Sequence, residues 1–190
     1  DNEYNVSNSL KNMFNGINYE VLLLDNNTKG PFETLTTAIN KYNIEGPSFI
    51  CDCDHSINID PIINLLEKDE NNDIIIPTYN IENENINAWS KVYLKNEKII
   101  DISEKELLEN EHKIMGIIGC HYFKDLSYFK NLNDEYENIS EMLKRLILNE
   151  NINIKSREIY RAEFLGDPER LQDCINKKRN KKCVFCDIDG

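Results

Sequence analysis

Between Glu20 and Pro77 the chain alternates three short apolar runs with two amphipathic segments, and few folds accommodate that order. Glu20–Asp25 (EVLLLD), Ser48–Cys53 (SFICDC) and Asp73–Pro77 (DIIIP) are compact apolar stretches flanked by turn residues. Runs of that length and composition predict buried strands. Between the first two, Thr34–Tyr42 puts Leu35, Ala38 and Ile39 on one helical face, with Gly46-Pro47 beyond its end. Between the second and third, Asp60-Pro61 opens a helix through about Lys68, with proline at the first helical position. Strand, helix, strand, helix, strand predicts an α/β fold whose parallel sheet is covered by helices.

The remainder changes character. Trp89–Leu94 and Lys98–Ile102 flank Lys95-Asn96-Glu97, which predicts a hairpin. Lys113–Phe123 predicts one further strand, Ile139–Asn149 a helix, Lys155–Phe164 a last strand, and Asp167–Asn176 a last helix with Pro168 near its start. Asp167 is the expected N-cap. From Asn176 a basic stretch, NKKRNKK, reads as a linker, and the chain turns apolar again at Cys183–Cys186.

Composition bounds the partners. With 190 residues the chain suits one domain and the beginning of a second. A net charge of −12, from 22 basic and 34 acidic residues, excludes nucleic acid as the default partner. An acidic chain still binds a nucleotide when a divalent cation bridges the charges. No uncharged apolar run approaches the roughly 18 residues of a membrane span, and Asp1–Leu10 lacks the basic and apolar regions of a secretory leader. Six cysteines without such a leader point to thiols in a reducing cytoplasm.

The residues that carry chemistry cluster at element ends. Cys51-Asp52-Cys53-Asp54-His55 ends a strand, and open α/β sheets bind ligands outside the carboxyl ends of their strands. Carboxylates there hold Mg²⁺ or Mn²⁺. In an extended chain Asp52 and Asp54 point to one side, so both serve one site, or one binds metal while the other braces a loop, or Asp54 merely caps the following turn. Cys51 and Cys53 take the opposite face and have no C-x-x-C partner nearby, which argues against zinc. Thr28-Lys29-Gly30-Pro31 precedes a helix: Gly30 allows backbone to approach a ligand and Lys29 can meet a phosphate, or the segment is an ordinary turn. Glu104 can bond sugar hydroxyls and Lys105 a phosphate, or the two are a solvated pair. Glu163 is a candidate second carboxylate for a metal. The three histidines share no metal-ligand spacing. His121 reads as a satisfied, partly buried side chain, and Trp89 as core or a lid anchor. The terminal Asp187-Ile188-Asp189-Gly190 has the form of a phosphoryl-transfer motif, in which Asp187 attacks and Asp189 serves as acid and base.

In this order, the motifs resemble the sugar-phosphate nucleotidyltransferase family. The segments that carry the likeness are Thr28–Pro31 with Glu33-Thr34, Phe49–His55, Trp89–Val92 through Ser103-Glu104-Lys105, Gly116–Phe123 and Phe164–Leu171. The last of these is similar to the family's Gly-Thr-Pro-Glu loop, with Asp167 in place of threonine. The resemblance implies a three-layer Rossmann-like (GT-A-like) fold with a mixed, mostly parallel sheet. It places the metal ligand at Asp54, with Asp52 and Glu163 as further ligands, and substrate contacts at Lys29, Gly30, Glu104, Lys105 and Gly119. The family's N-terminal Gly-rich triphosphate loop has no counterpart in these residues, so the resemblance implies an N-terminally incomplete domain over 1–176. Residues 177–182 are then a basic linker. Residues 183–190 resemble the first motif of haloacid-dehalogenase-like phosphatases, the start of a fused second domain.

The expected activity is transfer of a nucleotidyl group from an NTP to a sugar phosphate or similar phosphorylated small molecule, with release of pyrophosphate. Mg²⁺ or Mn²⁺ is the expected cofactor, surface-polysaccharide precursor synthesis the expected setting, and a homo-oligomer is compatible with the sequence. The alternatives are a glycosyltransferase using Asp52-Cys53-Asp54 on a nucleotide-sugar, and a sugar-phosphate-binding module without catalysis.

Overall fold

The structure, a computed structural model, describes residues 6–14, 16–24, 26–104, 112–130, 136–149 and 151–178. In chain order its elements are α1 (Val6–Met13), α2 (Pro31–Tyr42), β1 (Ser48–Cys51), β2 (His55–Ile57), α3 (Asp60–Lys68) and β3 (Ile74–Tyr79). There follow β4 (Lys91–Lys95), β5 (Lys98–Ser103), β6 (Lys113–Ile117), β7 (Cys120–Phe123), α4 (Ser127–Lys130) and α5 (Ile139–Leu146). The last elements are β8 (Ile154–Glu158), β9 (Ala162–Phe164) and α6 (Pro168–Lys178).

Strand β3 organises the core because it is buried on both faces. Along it Ile74 and Ile76 point one way and Ile75 the other, the period of two that an extended chain imposes. Ile74 and Ile76 join Phe32 and Ile39 of α2, Phe129 of α4, and Met142 and Leu143 of α5 in the larger apolar cluster. Ile75 joins Ile62 of α3, Ile118, Cys120 and Ile159 in the smaller one. The sheet therefore lies between two helical layers, as expected.

Its strand directions are not as expected. The order is β1-β7-β3-β6-β4-β5, with β8 on the other edge of β3, and of these ladders only β3–β8 is parallel. A mostly parallel sheet is thus corrected to a mostly antiparallel one. The reason is visible at β7. Strands β1 and β3 do run the same way, as their helical connection requires, but β7 lies between them and pairs antiparallel with both. The expected single strand Lys113–Phe123 supplies that insertion by breaking at Ile118-Gly119. One half, β6, pairs with β4, and the other half, β7, pairs with β1, while both touch β3.

Two further expectations change. Residues 17–24, which include most of the EVLLLD run, form no ladder, and Leu23 stays 54% exposed. Apolar composition favours a strand, but a strand exists through its hydrogen-bonded neighbour, and this run has none among the described residues. The segment Lys155–Phe164 divides into β8 and β9, and β9 forms a separate two-stranded sheet with β2. The hairpin β4–β5 is as expected, with Asn96 and Glu97 both at positive φ (50° and 64°), the conformation a two-residue turn of matching twist requires. Helix α6 runs through Lys178, two residues into the stretch expected as linker.

Candidate active site

The break at Gly119 and the end of β1 meet at a cleft of about 420 Å³. One wall carries acid. Asp52 follows β1, with its amide donating to Gly119 O at 2.7 Å. Asp54 sits in the turn before β2, where its carbonyl accepts from the Leu165 amide at 2.7 Å. His55 opens β2, with Nδ1 3.9 Å from Asp52 Oδ2 and Nε2 3.4 Å from Asp54 Oδ1. One ligand atom from each of the three lies within 4.8 Å of the others.

Two glycines make room for these carboxylates. A methyl group on Gly119 would overlap the Asp52 carboxylate, and one on Gly166 would overlap that of Asp54. Gly119 is tied to Asp52 by one of the backbone bonds just described, and Leu165, the residue before Gly166, is tied to Asp54 by the other, so neither wall can retreat freely. Burial, reinforced by Asp54 and opposed by His55, raises the pKa of Asp52 above the ordinary carboxylate range. Asp54 Oδ1 and His55 Nδ1 are both buried without a hydrogen-bond partner. Two carboxylates and an imidazole whose ligand atoms lie this close together suit a divalent cation, with the oxygen donors fitting Mg²⁺ and the added imidazole favouring Mn²⁺.

The facing wall comes from the start of β4, the end of β5 and the start of α5. Ser90 Oγ donates to Glu104 Oε2 at 2.8 Å, and Ser140 Oγ donates to the same oxygen. Beneath them Lys91 is fully buried; its ammonium donates to Trp89 O at 2.7 Å and Glu104 O at 3.1 Å. Burial lowers the pKa of Lys91, and the Glu104 carboxylate counters it. The Glu104 side chain is therefore fixed in direction before any ligand arrives. Trp89, 7% exposed, stacks on Tyr79 and meets Phe164 edge-on, and Arg170 of α6 lies 5.5 Å over both the Trp89 and Phe164 rings. Arg170 is also held by Glu84. Helix α6 is capped as expected, with Asp167 Oδ1 accepting from the amides of Glu169 and Arg170.

His121, on β7, lines the cleft but is 3% exposed, and its Nδ1 has no partner, so the expected satisfied histidine is instead a buried and unsatisfied one. Burial, with His55 nearby adding to it, pulls its pKa down to about 4. As pH falls below about 6.5 the unfolded chain takes up the proton first, so native stability declines from there toward pH 4. The loss reaches about 2 kcal/mol by pH 5. Urea denaturation at pH 7 and pH 5 should show His121→Phe losing less stability than the parent over that interval; equal losses would contradict the assignment.

The cleft thus gathers Asp52, Asp54, Glu104 and Gly119. Gly30 caps α2 beside Pro31, which lines the cleft, and Lys29 is exposed with its amide bonded to Glu33. Glu163 does not join the acidic cluster. In β9 Phe164 faces the cleft opposite His55, so Glu163 pairs with Ser56 and lines a neighbouring depression with Cys174. Lys105, Asp187 and Asp189 lie outside the described residues. The sequence reading gave no site role to His55, Ser90, Ser140 or Arg170. Arg170 carried the clearest signal, two residues after Pro168 in a capped loop–helix transition.

No protein-family model matches the chain, and no curated protein matches it in sequence. Solved structures do match in fold. A protein described as a glucose-1-phosphate thymidylyltransferase from Bacillus anthracis, in complex with sucrose, superposes with a TM-score of 0.73 at 14% identity, covering 97% of this chain and 74% of that one. A UDP-glucose pyrophosphorylase complexed with UDP-glucose gives 0.70 at 16%, covering 95% and 73%. A nucleoside-diphosphate-sugar pyrophosphorylase from Vibrio cholerae gives 0.60 at 18%, covering 80% and 67%. The chain has the α/β fold of these sugar nucleotidyltransferases. Among the described residues no helix is long and apolar enough to cross a membrane.

Proposed function

We propose that this chain belongs to a metal-dependent nucleotidyltransferase that joins an NTP to a sugar phosphate or similar phosphorylated small molecule and releases pyrophosphate. The observation that carries the reading is the cleft, with the Asp52–Asp54–His55 cluster on one wall, Asp54 Oδ1 and His55 Nδ1 without hydrogen-bond partners, and a pre-oriented Glu104 on the other. The fold shared with sugar pyrophosphorylases supports it.

In this reading Asp54, with Asp52 and His55, holds Mg²⁺ or Mn²⁺. The bound ion would neutralise charge developing on the phosphate oxygens. Glu104 accepts from hydroxyls of the phosphorylated substrate, and Ser90 and Ser140 keep its carboxylate aimed. Lys105, Lys29 and the backbone at Gly30 and Gly119 complete the substrate contacts, so the chain acts chiefly by positioning the substrate phosphate oxygen in line with the α-phosphorus. The position of Glu163 gives no support to its role as a further ligand. Asp187 and Asp189 would begin a fused phosphatase that acts in the same cytoplasmic route to a surface polysaccharide.

A pyrophosphate-release screen of NTPs against phosphorylated sugars and polyols, run on the full-length protein with Mg²⁺, tests the proposal. Release that EDTA abolishes is the expected result. Turnover of a nucleotide-sugar without pyrophosphate would replace the proposal with a glycosyltransferase, and saturable sugar-phosphate binding without turnover would replace it with a binding module. Glu104→Gln keeps the shape and both serine bonds but removes the charge. It should raise KM for the phosphorylated substrate about tenfold or more and leave Mn²⁺ affinity unchanged.

A further inference from the structure

Behind the acidic wall, and outside the cleft lining, two thiols face each other across the β1–β7 ladder. Cys51 and Cys120 are register partners, with Sγ–Sγ 2.8 Å. The next pair along, Asp52 with Gly119, is hydrogen-bonded through the Asp52 amide. Cys51 and Cys120 therefore occupy a non-hydrogen-bonded position, where side chains of antiparallel strands come closest and Cα atoms lie about 4.5 Å apart. That separation is within the range a disulfide spans, about 4.4–6.8 Å. Cys51 is exposed and Cys120 is buried, which gives the pair an accessible sulfur and a sheltered one.

We propose that Cys51 and Cys120 are a reversible redox modification site, oxidised to a cross-strand disulfide by small-molecule disulfides of the glutathione type. Cys51, as thiolate, attacks the small disulfide, forms the mixed disulfide and expels one thiolate. Cys120 then gives up its proton and attacks Cys51 Sγ, expelling the second small thiolate. Two protein thiols are oxidised and one small disulfide is reduced to two thiols; excess dithiol reverses both steps. The new bond would lock together the strand ends that carry Asp52 and Gly119, so oxidation reports on the same wall as the acidic cluster without depending on what that cluster binds.

The test treats the native protein with glutathione disulfide, blocks remaining thiols and maps tryptic peptides. Cys120 falls in the peptide Ile114–Lys124, and Cys51 falls with Cys53 in Tyr42–Lys68. The expected product is a dithiothreitol-sensitive link between these peptides that survives Cys53→Ser, disappears in Cys51→Ser, and raises the melting temperature. A Cys51–Cys53 or Cys53–Cys120 link, or Cys120 remaining fully alkylatable, overturns the proposal. These readouts use no substrate and no metal, so they stand whether or not the nucleotidyltransferase reading fails.

Discussion

Asp54→Asn should cut pyrophosphate release at least about 100-fold while the melting temperature stays level or rises slightly. The two readouts separate because of what Asp54 does in the fold. Its carbonyl, not its side chain, holds the Leu165 amide, and that bond survives the substitution. Its side chain lies beside a second carboxylate, Asp52, and one of its oxygens is buried without a hydrogen-bond partner, so neutralising it relieves repulsion and gives up only the 3.4 Å contact with His55 Nε2. Mn²⁺ titration of the same variant should show weakened binding. Full activity in Asp54→Asn would remove the metal assignment, and a large stability loss would show that the carboxylate is structural.

Gly166→Ala should lower Mn²⁺ affinity about tenfold or more and destabilise the chain by about 1–3 kcal/mol. The added methyl meets the Asp54 carboxylate, and the Leu165–Asp54 backbone bond prevents the loop from backing away. The carboxylate must move instead, out of the position it shares with Asp52 and His55. Gly116→Ala is the comparison: its methyl would meet Ile81 and Trp89 at 2.7 Å, which costs packing but touches no ligand atom. Equal Mn²⁺ affinity in Gly166→Ala and Gly116→Ala, by calorimetry, would mean that the glycine does not shape the acidic wall.

The elements were largely legible in the sequence because their signals are local. The α3 boundaries, the Asn96-Glu97 hairpin and the Asp167 cap follow from periodicity and turn chemistry within a few residues. The direction of the sheet was not legible, because it depends on β7 entering between β1 and β3, a pairing between residues about 50 and 70 positions apart in the chain. The EVLLLD run shows the same limit from the other side: apolar composition cannot report that a run has no paired neighbour among the described residues. At the cleft, Asp52 and Asp54 were legible as candidates because strand ends mark ligand positions, and Glu104 through the resemblance. His55 was not legible because the three histidines share no ligand spacing, whereas the structure groups it with its own neighbours in sequence. Glu163 was placed by proximity in the motif, and the alternation of β9 assigned the cleft to Phe164 instead.

The chain contains one tryptophan, and it is Trp89, at the cleft wall with a buried, unpartnered indole Nε1 and a guanidinium 5.5 Å from its ring. Excited at the red edge of tyrosine absorption, the chain therefore has a single emitter, and it lines the cleft. A hydroxyl that bonds the indole, or a shift of Arg170, changes the emission without any label or engineered probe. Every binding question about this cleft can thus be read optically on the unmodified chain, with tryptophan elsewhere contributing no background.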